Sequence, residues 1–148
     1  MAFDYDLDFD NINFREQPEL YRVGRGEQGV LMVEPYKSEI LPCWRFKTPE
    51  IAKDSADKIY QKYLEYKEND DFIGMDMARK FLQMGYTRSR RYANYKGGKK
   101  YDKHGEVNDR HMDSEKAKSA AIFEVKWKKV REDEDYLKLK KAHQEKCG

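Results

Sequence analysis

The sequence predicts an α+β fold: a small antiparallel sheet from the N-terminal third, packed against three or four helices that include a long C-terminal one. Three observations carry that expectation. The β-branched and aromatic runs LYRV and VLMVEP flank Gly24-Arg25-Gly26-Glu27-Gln28-Gly29, as strands flank a hairpin turn. Across residues 48–84, apolar side chains recur at spacings of three and four, the period of a helix with one buried face. From residue 113 onward, acids and bases alternate around an apolar stripe, the pattern of a helix with a solvated outer face.

Residues 1–19 read as an acidic N-terminal arm or edge strand. Phe3, Tyr5, Leu7 and Phe9 alternate with Asp4, Asp6, Asp8 and Asp10, and period two puts the apolar side chains on one face. The aspartate spacing is not that of a calcium loop. Counted from Asp4, the position that needs glycine is Phe9 and the position that needs a bidentate acid is Arg15. Residues 20–47 form the β-hairpin region, in which a third run from Glu39 to Phe46 is interrupted by Pro42 and suits an edge. The glycine segment matches G-x-G-x-x-G, but a dinucleotide fold needs that motif to open a helix. A strand-like run follows here, so a hairpin turn with positive φ is the better reading.

Residues 48–84 read as a helical pair. Thr48 caps the first helix, with Pro49 at its first position and Ala52, Ala56, Ile59, Tyr63 and Tyr66 as its inner stripe. Asn69-Asp70-Asp71 ends it. The second helix, residues 72–84, turns Met75, Ala78, Phe81 and Leu82 inward and stops at Gly85 as a C′ glycine. Residues 85–112 read as a basic aromatic segment and loop, with a short helix behind Thr87 that ends near Gly97-Gly98. Residues 113–145 read as one long helix, capped by Asp113 or Ser114, with Ala120, Phe123, Trp127, Val130 and Leu137 buried and the last turns frayed.

The 148 residues suit a single domain spanning 1–148. With 39% charged residues and a mean hydropathy of −1.10, the core is expected to be thin and built from large aromatics, 11 of them tyrosines. Cys43 and Cys147 form no disulfide framework and have no neighbour at metal spacing. No apolar run approaches the roughly 18 residues of a membrane span, and the acidic start is unlike a targeting peptide. The expectation is a cytoplasmic protein with no membrane partner.

Charge is unevenly distributed. Residues 1–20 carry six acids and one base; residues 85–104 carry seven bases and one acid, with four tyrosines between them. So much local charge needs an anionic partner or a patch of the chain's own acids. Arg88, Arg90, Arg91, Lys96, Lys99, Lys100 and Lys103 are therefore candidate phosphate ligands. Tyr92, Tyr95 and Tyr101 are candidate platforms for bases. The competing reading is internal: the arginines pair with Asp4 to Asp10 and the tyrosines are core.

With GRGEQGVL, EPYKSEILPCWRFKTPE, DFIGMDMARKFLQMGYTRSRRYANYKGGKKYD and SAAIFEVKWKKV in view, the chain resembles a family of short proteins from phages, bacteria and some eukaryotes, catalogued as domain of unknown function 4385. The likeness spans nearly the whole chain. It brings no activity, cofactor or catalytic residue with it. Occurrence in phages implies an intracellular role in nucleic-acid handling or in managing the host.

Two further functions are set against nucleic-acid binding. One is an interaction or inhibitor protein that docks on another protein through the outer face of the C-terminal helix or exposed tyrosines. The other is a small metal-dependent nuclease built from Asp76, Glu34 or Glu39 with Lys37. His104 and His111, among Asp102, Glu106, Asp109 and Asp113, match no metal spacing. No metal, cofactor or catalytic residue is expected. The leading expectation is a non-enzymatic module that binds DNA or RNA, with a protein partner as the alternative.

Overall fold

The computed structural model describes residues 2–94, 103–106 and 114–148. Among them there are five α-helices and no strand. The helices are α1 (Tyr36–Ile40), α2 (Pro49–Glu68), α3 (Phe72–Asn94), α4 (Ser114–Arg131) and α5 (Glu134–Cys147), with three short 3₁₀ turns before α2. The expected α+β architecture is thus corrected to an all-helical one. α3 lies at the centre, packed along α4 and α2; α2 also meets α4, and α5 crosses the first half of α3. No helix among the described residues is long and apolar enough to cross a membrane.

α2 forms as its sequence dictates. The Thr48 hydroxyl accepts a hydrogen bond from the Ile51 amide at 3.2 Å, and Pro49 opens the helix. Ala52, Ala56, Ile59, Tyr63 and Tyr66 are all buried. Each large side chain among them contributes roughly 1.5–3 kcal/mol of hydrophobic stabilisation.

α3 departs from expectation. It runs for 23 residues straight through Gly85 and absorbs the separate helix expected behind Thr87. Gly85 is not a terminator but a contact point. A Cβ there would lie 2.5 Å from the Phe123 ring of α4, and one at Gly74 would lie 2.4 Å from the Tyr66 ring of α2. Two glycines thus let the central helix approach both neighbours closely. Their cost in helix propensity, about 1 kcal/mol each, is offset by the area this buries.

The long C-terminal helix is also corrected, to two. It breaks at Glu132-Asp133, where the Asp133 carboxylate caps α5 through the Asp135 amide at 3.0 Å. The same carboxylate accepts from the Tyr63 hydroxyl at 2.6 Å and from Lys67 at 2.9 Å, so it ties α5 to α2. The break rotates α5, so that Tyr136 is buried and the expected core residue Leu137 is 45% exposed. α5 continues to Cys147, and the Gly148 carbonyl accepts from the Val23 amide at 3.1 Å.

The N-terminal third wraps over α3 without pairing into strands. Phe3, Phe9, Phe14 and Tyr21 form a chain of ring contacts 5.9 to 6.4 Å apart. Gly24, Gly26 and Gly29 do adopt positive φ, at 70°, 55° and 76°, but in a run of turns. Side chains take up several backbone carbonyls of this region. Lys80 donates to the Gln28 carbonyl at 2.6 Å, Arg79 donates to the Gly26 carbonyl, and His143 bonds the Tyr21 carbonyl. Buried backbone must be paired, and here side chains from α3 and α5 do what a neighbouring strand would do.

Candidate nucleic-acid interface

One stripe of α3 organises the site. Asp76, Lys80, Met84, Arg88 and Tyr92 follow one another at spacing four, so each lies beside the next along a ridge that winds slowly around the helix. Asp76 and Lys80 are 0% exposed and Met84 is 3% exposed, whereas Arg88 is exposed and Tyr92 is 38% exposed. The stripe begins sealed and ends in solvent.

At the sealed end, Asp76 accepts from the Tyr136 hydroxyl at 2.6 Å, from Arg79 at 2.7 and 3.0 Å, and from the Tyr21 hydroxyl. Lys80 Nζ stands 3.9 Å from the same carboxylate and 4.9 Å from the centre of the Tyr21 ring. Burial alone would raise the Asp76 carboxyl. The charges of Arg79 and Lys80, with the two tyrosine hydroxyls, override it and hold the group down at about 2. Burial lowers the Lys80 ammonium to about 8, against the opposing pull of Asp76. Burial also pushes the Tyr21 and Tyr136 hydroxyls well above their usual range, with Asp76 adding to the effect. Sequence reasoning missed this network. Its one visible signal was three ionisable residues, Asp76, Arg79 and Lys80, on the apolar face of a helix.

At the open end stand the candidate ligands. Arg88, Arg90 and Arg91 occupy the last two turns of α3. Among the described residues, no carboxylate lies within 4.0 Å of any of the three guanidinium groups; the one hydrogen bond given to them joins Arg90 to the Asn94 carboxamide at 3.4 Å. The internal clamp expected from Asp4 to Asp10 is not formed on them. Asp4 accepts from the Asp6 amide and Asp8 from the Asn11 side chain. The three arginines spread over roughly 160° of the helix circumference at 100° per residue. Ser89 and Ala93, on the remaining arc, are buried.

Tyr92 lies beside Phe46 at 5.9 Å and within 6.0 Å of the Lys116 ammonium. Lys116 in turn donates to the Phe46 and Lys47 carbonyls at 3.3 and 2.8 Å. Lys103 is an exposed turn residue. Tyr95, Lys96, Lys99, Lys100 and Tyr101 lie outside the described residues, as does His111. On the other side of Arg88, the glycine-rich turns contribute an exposed Arg25. Sequence reasoning left Arg25 out because it had been assigned to a hairpin tip.

The nuclease residues are not assembled. Asp76 is enclosed as described, Glu34 caps the Ser38 amide and hydroxyl at 2.8 and 2.7 Å, and Glu39 pairs in bidentate fashion with Arg15 at 2.8 Å. Glu39 and Arg15 lie beside a cleft of about 600 Å³ that Arg15 lines together with Tyr36, Tyr66, Asp71 and His143. The inward polar groups of that cleft are bonded to one another: Tyr66 donates to Glu39 at 2.7 Å, and Tyr36 donates to Asp71 at 2.7 Å. Among the described residues no group of three His, Cys, Asp or Glu side chains is placed to hold a metal ion.

Fold and surface together define a small helical domain whose central helix exposes a cluster of unpaired cations. The chain belongs to the family described as a domain of unknown function, DUF4385, whose model matches residues 4–146. No curated protein and no solved structure matches it.

Proposed function

We propose that this protein is a polyanion-binding module, with nucleic acid as the polyanion, and that the C-terminal end of α3 is its contact surface. The observation that carries the reading is the contrast in counterions. Arg79 and Lys80 on α3 share the buried Asp76 carboxylate as an internal counterion, while Arg88, Arg90 and Arg91 have no carboxylate partner among the described residues. Interaction with the helix dipole favours a cation in the last turn by about 0.3–1 kcal/mol. One arginine satisfies that effect, and three on different faces do not follow from it. A guanidinium forks two hydrogen bonds to a phosphate, and clustered arginines release counterions when they bind a charged backbone.

The test is a salt titration of binding to labelled single-stranded and duplex DNA and RNA. The logarithm of the affinity is expected to fall linearly with the logarithm of salt concentration. In the Arg90→Ala, Arg91→Ala double variant the slope should shrink by about 2, near one per lost phosphate contact. Absence of any binding at low salt overturns the reading.

A further inference from the structure

Of the eight large apolar side chains left exposed among the described residues, three gather at one place: Tyr5 at 50%, Met32 at 38% and Leu31 at 48% exposure. They line a groove of about 440 Å³ floored by Met84, with Arg25 and Arg88 at its rim. Glu27 also lines it, and its carboxylate accepts from the Thr87 hydroxyl at 3.1 and 3.2 Å. Two guanidinium groups against one hydrogen-bonded carboxylate leave the rim cationic. The groove is continuous through Arg88 with the basic helix end.

The N-terminal arm holds Tyr5 at this mouth without burying it. Phe3 is 5% exposed and seats its ring on Gly29, where a Cβ would meet that ring at 2.4 Å. Lys80 lies 5.2 Å from the centre of the same ring. Two residues further on, the Tyr5 ring meets Phe3 edge-on at 5.1 Å. Met32, Leu31 and Met84 supply apolar surface with no hydrogen-bonding groups. Gln28 is the groove's one carboxamide, and its Oε1 already accepts from the Phe3 and Arg25 amides at 3.4 and 2.9 Å.

We propose that this groove is the base-binding half of a single-stranded nucleic-acid site: Tyr5 and the methionines take the flat face of an unpaired base, and Arg25 and Arg88 take its flanking phosphates. The inference rests on the polyanion reading above and narrows it. An apolar wall flanked by guanidinium groups complements a ligand that is flat and apolar on one side and anionic at its edge. Bases in a duplex keep their faces stacked and are closed to such a wall. The Gln28 oxygen is engaged and the apolar wall itself carries no group that reads a base edge, so stacking on it should tolerate any base. Stacking on an aromatic ring has that property and contributes about 1–3 kcal/mol per base.

The experiment compares an oligothymidylate with an abasic strand of equal length and charge, by fluorescence anisotropy at low salt. Heparin serves as a base-free competitor. Wild-type protein should bind the thymidylate about tenfold tighter than the abasic strand. Tyr5→Ala should lose about 5- to 10-fold on the thymidylate and nothing on the abasic strand or heparin. Met32→Ser should show the same selectivity with a smaller loss, and thermal melts of both variants should match wild type. Equal wild-type affinity for the two strands overturns the groove assignment, as does a Tyr5→Ala loss that is the same on both. If binding is independent of bases yet weakened by Arg90→Ala with Arg91→Ala, the groove assignment alone fails. If no polyanion binds at all, the proposed function fails and the groove assignment falls with it.

Discussion

Arg79 and Lys80 precede Arg88, Arg90 and Arg91 by about two to three turns of the same helix, yet the two groups meet opposite surroundings. The first pair is enclosed by α5, the aromatic arm and the glycine-rich turns, and shares a carboxylate that also accepts from two tyrosines. In the second group Arg88 and Arg91 are exposed and Arg90 is half-buried, and none has a carboxylate partner among the described residues. Charge and residue type are alike in both. The difference lies in who supplies the counterion, and it separates a cation that holds the fold together from one available to a ligand.

The strongest way to break that contrast is to remove the internal counterion. Asp76→Ala leaves Arg79 and Lys80 buried without an anion, and uncompensated buried charge of this kind costs about 3–5 kcal/mol. Denaturant unfolding should show a loss of that size, with unfolding of the variant at moderate temperature. A smaller loss would mean that water reaches the network.

Next in size is the pH dependence of the sealed end. The folded Asp76 carboxyl, held at about 2, lies below its ordinary value of 3.8. Its contribution is therefore fully present above pH 3.8 and is lost as pH falls through 2. Lys80 works in the opposite sense. Its folded value of about 8 lies below the ordinary 10.5, so the unfolded chain binds more protons between those limits and stability rises with pH. The rise should reverse above about pH 10, because burial keeps Tyr21 and Tyr136 protonated in the fold. Thermal melts of wild type and Lys80→Met across pH 7 to 10 check this. The rise should be present in the first and absent in the second.

The open end should behave as ordinary surface. Arg88→Ala, Arg90→Ala and Arg91→Ala should each change stability by no more than about 0.5 kcal/mol, measured as above, while the double variant loses polyanion affinity. A large stability cost at any of them would place its counterion inside the molecule. The smallest effect concerns the arm. Asp4→Asn with Asp6→Asn removes negative charge on either side of Tyr5 and should raise affinity for a single strand by about two- to threefold, diminishing with salt.

Much of the helical scaffold was legible because its signals are local. Thr48, Pro49 and the stripe from Ala52 to Tyr66 specify α2 within a single stretch of chain. Asp133 was legible too, as an acid before Glu134 and Asp135 at a helix start, but the unbroken charge pattern on either side of it suggested one long helix. Gly85 could not be read correctly, since a glycine that ends a helix and a glycine that admits Phe123 look the same in sequence. The runs LYRV and VLMVEP have genuine β propensity, but strand formation needs a partner edge. In LYRV the Tyr21 carbonyl found His143 and the Val23 amide found the Gly148 carbonyl, while VLMVEP closed mostly into local turns, with its Glu34 carbonyl taken by the Phe14 amide.

Of the candidate site, Arg88, Arg90, Arg91 and Tyr92 lie within five consecutive residues of one helix end, whereas Arg25 and Tyr5 join them only through the fold. Nothing in the order of residues relates position 5 to position 88. What the amino-acid sequence determined alone was the location of the cationic segment, the start of α2 and the aromatic character of the core, because each depends on neighbours a few positions apart. The tertiary structure decided which cations are enclosed and which are open, and whether the N-terminal third pairs as strands or drapes as turns. Those outcomes depend on which distant groups meet, and a helix that approaches its neighbours through two glycines determines that by packing.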